Sequence, residues 1–233
     1  MLDQAFEALK SYDWGMDPKV LEPIDKAVIS KDAEAGRTEL ETRLAALLKN
    51  DSTRDAKDYV CRKLMVIGTV SSVPALAALL PEKDHSHMAR FALERIPVPQ
   101  AAQARRDALP KLSGVLKVGV ISSLGARRDA DSVSALAELL RGADPVVARA
   151  AAYALGAIRN AEAAQALAQA KPTSPEVKQA ATDASLACAE ELLADGKKAE
   201  ATAIYKRYAG EDHPKHVRLA ATRGMLAVAG KRE

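Results

Sequence analysis

Aromatic side chains are scarce in this sequence: two phenylalanines, one tryptophan and five tyrosines make up 3% of its 233 residues. A thick globular core normally leans on such bulk, so apolar surface must be buried here in another way. Long apolar runs are missing too, and no segment reads as a membrane-spanning helix. Met1-Leu2-Asp3 lacks the basic-then-apolar start of a secretion signal, and a leader removed earlier would leave the same opening. No glycine-rich phosphate loop follows a strand, and neither Gly-x-Ser-x-Gly nor His-Glu-x-x-His occurs. These absences set aside the phosphate-loop, serine-hydrolase and zinc-protease classes.

What the sequence has in quantity is alanine, 48 residues of it. Charged residues make up 28%, with both signs mixed, which reads as a soluble folded chain and not as a disordered polyelectrolyte. The net charge of +3 is uneven: −4 over residues 1–56, +6 over 57–160 and +1 over 161–233. The middle stretch is only mildly basic, well short of a nucleic-acid-binding tail.

The segment DPVVARAAAYALGAIRNAEAAQALAQA, residues 144–170, shows how the alanines are used. Val147, Ala150, Ala151, Ala154, Leu155 and Ile158 form one stripe at helical spacing. Asp144-Pro145 supplies a cap and a first-turn proline, and Asn160 reads as a stop before a second helix. Such a hairpin needs a neighbour of similar shape to cover its stripe, and copies are present. Leu93, Leu124 and Leu155 stand 31 residues apart, in ALERI, SLGAR and ALGAI, and Ile67 precedes Leu93 by 26. The partner segments read SVPALAALL, SVSALAELL and AEAAQALAQA, and the Val147 motif recurs at Val177 and Val217. About six imperfect hairpins explain the alanines, because small residues let helix axes approach to about 8–10 Å.

The pattern Asp-Pro-x-Val-x-Arg-Ala-Ala-x-x-Ala-Leu-Gly, with partner segments of the form Ser-Val-x-Ala-Leu-x-x-Leu-Leu, resembles the HEAT repeat. It is closest to the short bacterial HEAT-like type also seen in phycobilisome-lyase subunits. The resemblance covers residues 57–233 and implies an all-α, right-handed α-solenoid of stacked helical hairpins. Pro97 stands where the repeat usually has glycine, and the unit before Val217 stretches to 40 residues. Its first helix is expected to run from Pro175 to Ala194. Residues 1–56 match the repeat poorly and read as an N-terminal helical cap, with a separate functional module as the alternative. There AFEALKSY makes a short helix, Asp17-Pro18 starts a second with Pro23 early in it, and Leu40, Leu44, Leu47 and Leu48 stripe a third. Trp14 reads as a packing anchor, with a contact residue as the alternative. MLAVAGKRE ends with no polar capping helix after Gly230, as a module cut from a longer solenoid would.

Chemistry-bearing residues are few. Cys61 and Cys188 fall on helices of well-separated repeats, too far apart for a disulfide, and read as reduced, packed side chains. The pairs His85/His87 and His213/His216 sit at hairpin starts without a full ligand set, so no metal and no cofactor is expected. Glu190 and Glu191 read as a solvated helix face.

Basic residues give the one functional signal. One position after the aligned apolar residue stand Val60, Ser86, Lys117, Ala148, Lys178 and Arg218. One further stand Cys61, His87, Val118, Arg149, Gln179 and Leu219. In HEAT-like repeats basic groups here line the inner helices. Arg105-Arg106 and Arg127-Arg128 add charge nearby. These are either solvated, locally paired charges worth little each, or a basic inner surface for an acidic protein segment. Nucleic acid is disfavoured because stacking aromatics are few. The candidate partner-binding residues are Lys117, Arg149, Tyr153, Lys178 and Arg218. The expectation is a non-catalytic protein–protein interaction scaffold. The alternatives are a HEAT-like enzyme of the DNA-glycosylase or bilin-lyase kind, which needs a concentrated aromatic and acidic pocket where this sequence spreads Tyr59, Phe91 and Tyr153 one per repeat, and a module of a longer protein. Compartment and oligomeric state stay open.

Overall fold

A computed structural model of the chain describes residues 1–30 and 34–230. The last three residues, part of the expected open end, lie outside the described residues. Every element among the described residues is helical, and no described helix is long and apolar enough to cross a membrane. The chain forms two compact units, Met1–Val120 and Ile121–Glu233. The boundary at residue 56 rests on repeat resemblance, a different criterion from compactness.

The first unit holds α1 (Leu2–Lys10), α2 (Glu22–Ile29), α3 (Glu34–Leu47), α4 (Arg54–Ile67), α5 (Val73–Ala78), α6 (Ser86–Arg95), α7 (Pro99–Ala108) and the start of α8 (Gly114–Ala126). Here α4 packs against α2, α3 and α6, while α5 packs against α3, α6 and α7. The expected leucine stripe of α3 is buried, with Leu44 fully so. Asp17-Pro18 starts only a 3-10 turn, Pro18–Leu21, and the second helix begins at Glu22. Pro23 is the reason: it has no N–H to donate, so it fits the first turn of a helix but not the interior of one begun at Pro18. The start of α5 is secured from α3. Glu41, 3% exposed, accepts the backbone N–H of Thr69 at 2.7 Å and of Ser72 at 3.1 Å.

The second unit continues α8 and adds α9 (Val133–Leu140), α10 (Pro145–Ile158), α11 (Ala161–Gln169), α12 (Pro175–Ala194), α13 (Lys198–Tyr208) and α14 (Lys215–Val228). α10 packs on α12 and α12 on α14, forming one layer; α9 and α11 pack together behind α10, and α13 lies against α12. The starts follow the sequence signals. Asp144 accepts the N–H groups of Val146 and Val147 at 2.9 and 3.2 Å, and Ser174 caps α12 through Val177. Asn160 is not the stop of α10 but the cap of α11, accepting Ala163 N–H at 2.8 Å. Arg159, with φ +61°, turns the chain instead.

Small side chains set the helix spacing. Ala151, Ala163, Ala180 and Ala221 are fully buried. Gly156 of α10 lies so close to α12 that a Cβ on it would stand 2.7 Å from the Ala184 Cα. Gly125 of α8 meets Ala154 in the same way, at 2.8 Å. The fold class is therefore the expected one, all-α with helical hairpins stacked through alanine and glycine contacts.

Candidate functional site

Helices α10, α12 and α14 each turn one side away from their neighbours. On α10 that side carries Val146, Arg149 and Tyr153, exposed residues three and four apart and so on one stripe. Val146 is 54% exposed and Tyr153 is 55% exposed, in a helix whose other sides are covered by α9, α11 and α12. Arg149 lies near the start of α12. Glu176 there has its carboxyl held below the usual range, chiefly by the Ser174 hydroxyl and in smaller part by the Arg149 charge.

The other expected residues are placed differently. Lys178 is exposed and lines a cleft of about 370 Å³ between the first turns of α12 and α14, with Thr182, Asp212, His213 and His216. Arg218 is half-buried, and its Nε is enclosed with no hydrogen-bond partner among the described residues. Lys117 is half-buried on the part of α8 that belongs to the first unit. Lys117, Lys178 and Arg218 come from a column whose members Val60, Ser86 and Ala148 are buried. Arg149 comes from the next column, where His87, Gln179 and Leu219 are exposed. A step of one residue turns the side chain about 100° around the helix, so the two columns face different surroundings. The charges between them are not all basic: α12 also exposes Glu176, Asp183 and Glu190. The structure brings Arg149 and Tyr153 together and does not align all five residues in one row.

Several polar residues behave otherwise than expected. Glu191 is not simply solvated. It accepts a hydrogen bond from Arg128 at 2.9 Å and pairs with Arg159 at 3.6 Å. Both arginines have positive φ, +50° and +61°, and each stands four residues after a repeat leucine, Leu124 or Leu155. That shared offset is the sequence signal for this three-helix tie. Its electrostatic consequence is a Glu191 carboxyl held below the usual range, first by the Arg128 hydrogen bond and charge. Arg105 adds nothing to a basic surface. It is fully buried, folding back along α7 so that its Nε donates to the Ala101 carbonyl at 3.1 Å.

Trp14, expected as a packing anchor, is 48% exposed, with its ring edge-on to Tyr12 at 5.5 Å. Tyr12 takes the anchoring position instead, 2% exposed. Tyr59 is buried and donates its hydroxyl to Asp25 at 2.6 Å, which Lys63 also pairs with at 2.6 Å. Burial pushes the Tyr59 hydroxyl well above its ordinary range. Cys61 and Cys188 are free and buried, as expected, and burial pushes both thiols up to about 12. His85 pairs with Glu82 at 2.9 Å, and His213 meets the Arg207 carbonyl at 3.1 Å. Among the described residues no group of three or more His, Cys, Asp or Glu side chains is placed to hold a metal ion.

A profile of HEAT repeats matches residues 102–185, a span that takes in α8 to α11 and the first half of α12. That part of the chain is similar to HEAT repeats. No curated protein matches the chain significantly in sequence. Distant matches among solved structures include human deoxyhypusine hydroxylase in complex with glycerol, at 15% identity and TM-score 0.41, covering 98% of this chain and 96% of that one. An engineered protein matches at 18% identity and TM-score 0.43, over 90% of this chain and 96% of its own. A designed armadillo repeat protein matches at 19% identity and TM-score 0.43, over 88% and 98%. Likenesses this distant bear on neither activity nor partner.

Proposed function

We propose that this HEAT-like repeat chain is a non-catalytic scaffold that receives a protein partner on the exposed stripe of α10 and the adjoining first turns of α12 and α14. The observation that carries the reading is the Val146–Arg149–Tyr153 stripe. Tyrosine and arginine are the side chains that most often anchor protein interfaces: each presents apolar area and a hydrogen-bonding end. Here both stand exposed on a helix held rigid on its other sides, so little ordering cost falls on binding. Lys178 beside the same layer supplies a further cation, and a partner segment bearing acidic side chains suits Arg149 and Lys178 together. Lys117 and Arg218, half-buried, contribute at most at the margin of such a contact.

The test is quantitative affinity capture from the source cells, comparing the wild type with the double variant Arg149→Glu, Tyr153→Ala. Both side chains are exposed, so the melting midpoint should stay within about 0.5 kcal/mol of wild-type stability. A partner retained by the wild type and lost with the variant supports the proposal. Identical recovery by the two proteins overturns it. Retention should also weaken as salt rises, because the Debye length falls from about 10 Å at 0.1 M to about 3 Å at 1 M.

A further inference from the structure

The first unit carries an exposed surface of its own, on α4 and α6. Helix α4 is covered by α2, α3 and α6, and α6 by α4, α5 and α7. Each leaves one side open, away from α3, α5 and α7. The exposed residues of α4 are Arg54, Arg62 and Val66, and those of α6 are His87, Phe91 and Arg95. Three are arginines and none is acidic. Arg54 has a neighbour in Asp55 at 3.7 Å. Arg62 and Arg95 make no ion pair among the described residues. The Arg62 guanidinium lies over the half-exposed indole of Trp14, 5.4 Å from its centroid. Val66 is 67% exposed and Phe91 39%. Apolar and cationic groups therefore share the open sides of two packed helices: Arg62 and Val66 on α4, Phe91 and Arg95 on α6, with Trp14 beside Arg62.

We infer that this α4–α6 face, with Trp14 at its edge, is a docking surface for a protein segment bearing both acidic and large apolar side chains. The inference rests on the scaffold reading and gives the chemistry of the partner. Charge complementarity selects the acidic character, because Arg62 and Arg95 make no ion pair among the described residues and the carboxylates of the two helices, Asp55, Asp58 and Glu94, are half-buried or buried. The exposed Val66, Phe91 and Trp14 select the apolar character. Single-stranded nucleic acid would meet the cations but needs open ring faces for base stacking. Those faces are partly taken. Arg62 covers one side of Trp14, and the Phe91 ring stands 5.3 Å from His87, tilted by 41°. Aliphatic and aromatic side chains of a peptide can use the remaining ring edges, and carboxylates can pair with Arg62 without displacing it.

The chain's one tryptophan sits within this surface, so its emission reports occupancy directly. The probe is a tryptophan-free amphipathic peptide of about twelve residues built from Glu, Leu and Phe. Its counterpart with Lys in place of Glu and an oligothymidylate strand serve as comparisons. The acidic probe should shift Trp14 emission saturably, while the other two leave it unchanged. Anisotropy of a labelled probe should show affinity falling about tenfold in Arg62→Glu, Arg95→Glu, since like charges then face the probe. Phe91→Ala, which leaves the charge alone, should also weaken binding and serves if the double variant melts early. No emission change, equal affinity for the charge-reversed variant, or equal binding of the basic peptide or the DNA strand overturns the inference. If the probe fails while a partner is still captured through Arg149 and Tyr153, only this surface is wrong. Failure of both removes the scaffold reading itself.

Discussion

Replacing Gly156 by alanine sets two known effects against each other, and the geometry decides between them. Alanine in a helix interior is favoured over glycine by about 0.8–1.0 kcal/mol, so on propensity alone Gly156→Ala should stabilise α10. The new Cβ, however, would stand 2.6 Å from the Ala184 Cβ and 2.7 Å from its Cα. Carbon atoms in contact settle at about 3.5–4.0 Å, so α10 and α12 must part by roughly 1 Å along the contact. The obstacle is backbone and Cβ, with no flexible side-chain end to swing aside. Overpacking of this kind costs about 1–3 kcal/mol, and helix separation also loosens the neighbouring contacts of Ala151 and Ala180. The net expectation is a loss of about 1–2 kcal/mol, or roughly 3–8 °C in melting midpoint for a unit of this size. Far-ultraviolet circular dichroism melts measure it, with Ala168→Leu, at an exposed position of α11, as a control expected to change stability by less than about 0.5 kcal/mol. An unchanged or raised midpoint for Gly156→Ala would refute the reasoning that close approach at small residues holds the hairpins together.

Other outcomes follow from single contacts. Glu41→Ala strips the acceptor from the Thr69 and Ser72 N–H groups and should cost about 1–3 kcal/mol, read by urea unfolding followed at Trp14; Glu41→Gln should recover part of the loss. Glu191 has a folded pKa below its unfolded value, held there first by Arg128, so its contribution is present above about pH 4.3 and fades as pH falls through the folded value. Wild type should therefore lose stability more steeply than Glu191→Gln as pH is lowered from about 5 to 3 in denaturant titrations; parallel curves would argue against the tie to Arg128 and Arg159. Burial pushes the Cys61 and Cys188 thiols up to about 12, so neither should react with a thiol reagent in the native protein near neutral pH, and both should react once it is unfolded.

The fold was legible because hairpin repeats write themselves at fixed intervals. The Leu93, Leu124, Leu155 register and the Asp144-Pro145 start each reflect a local rule, and the Pro175–Ala194 helix matched its expected span. Where reading failed, the cause was non-local or one residue in phase. Asp17-Pro18 reads as the start of one helix that tolerates Pro23 early in it, whereas a second proline so soon allows only a restart, at Glu22. Tyr12 takes the role expected of Trp14 because the fold buries it against Tyr59, 6.2 Å away and distant in sequence. The basic ladder blurred because two columns one residue apart were read as one face, although Ala148 is buried and Arg149 exposed. The α4–α6 surface had no visible motif: its residues are ordinary singly, and only the covering of the other helix sides leaves Arg62, Val66, Phe91 and Arg95 open.

The most direct measurement is site-specific photo-crosslinking in the source cells, with the photoreactive side chain at position 153 on the exposed stripe of α10 or at Gln165 on the opposite layer, α11. The scaffold proposal expects a discrete protein adduct at position 153, abolished by Arg149→Glu and missing at position 165. Adducts of equal yield at the two positions, or an adduct at 153 indifferent to Arg149→Glu, would contradict it.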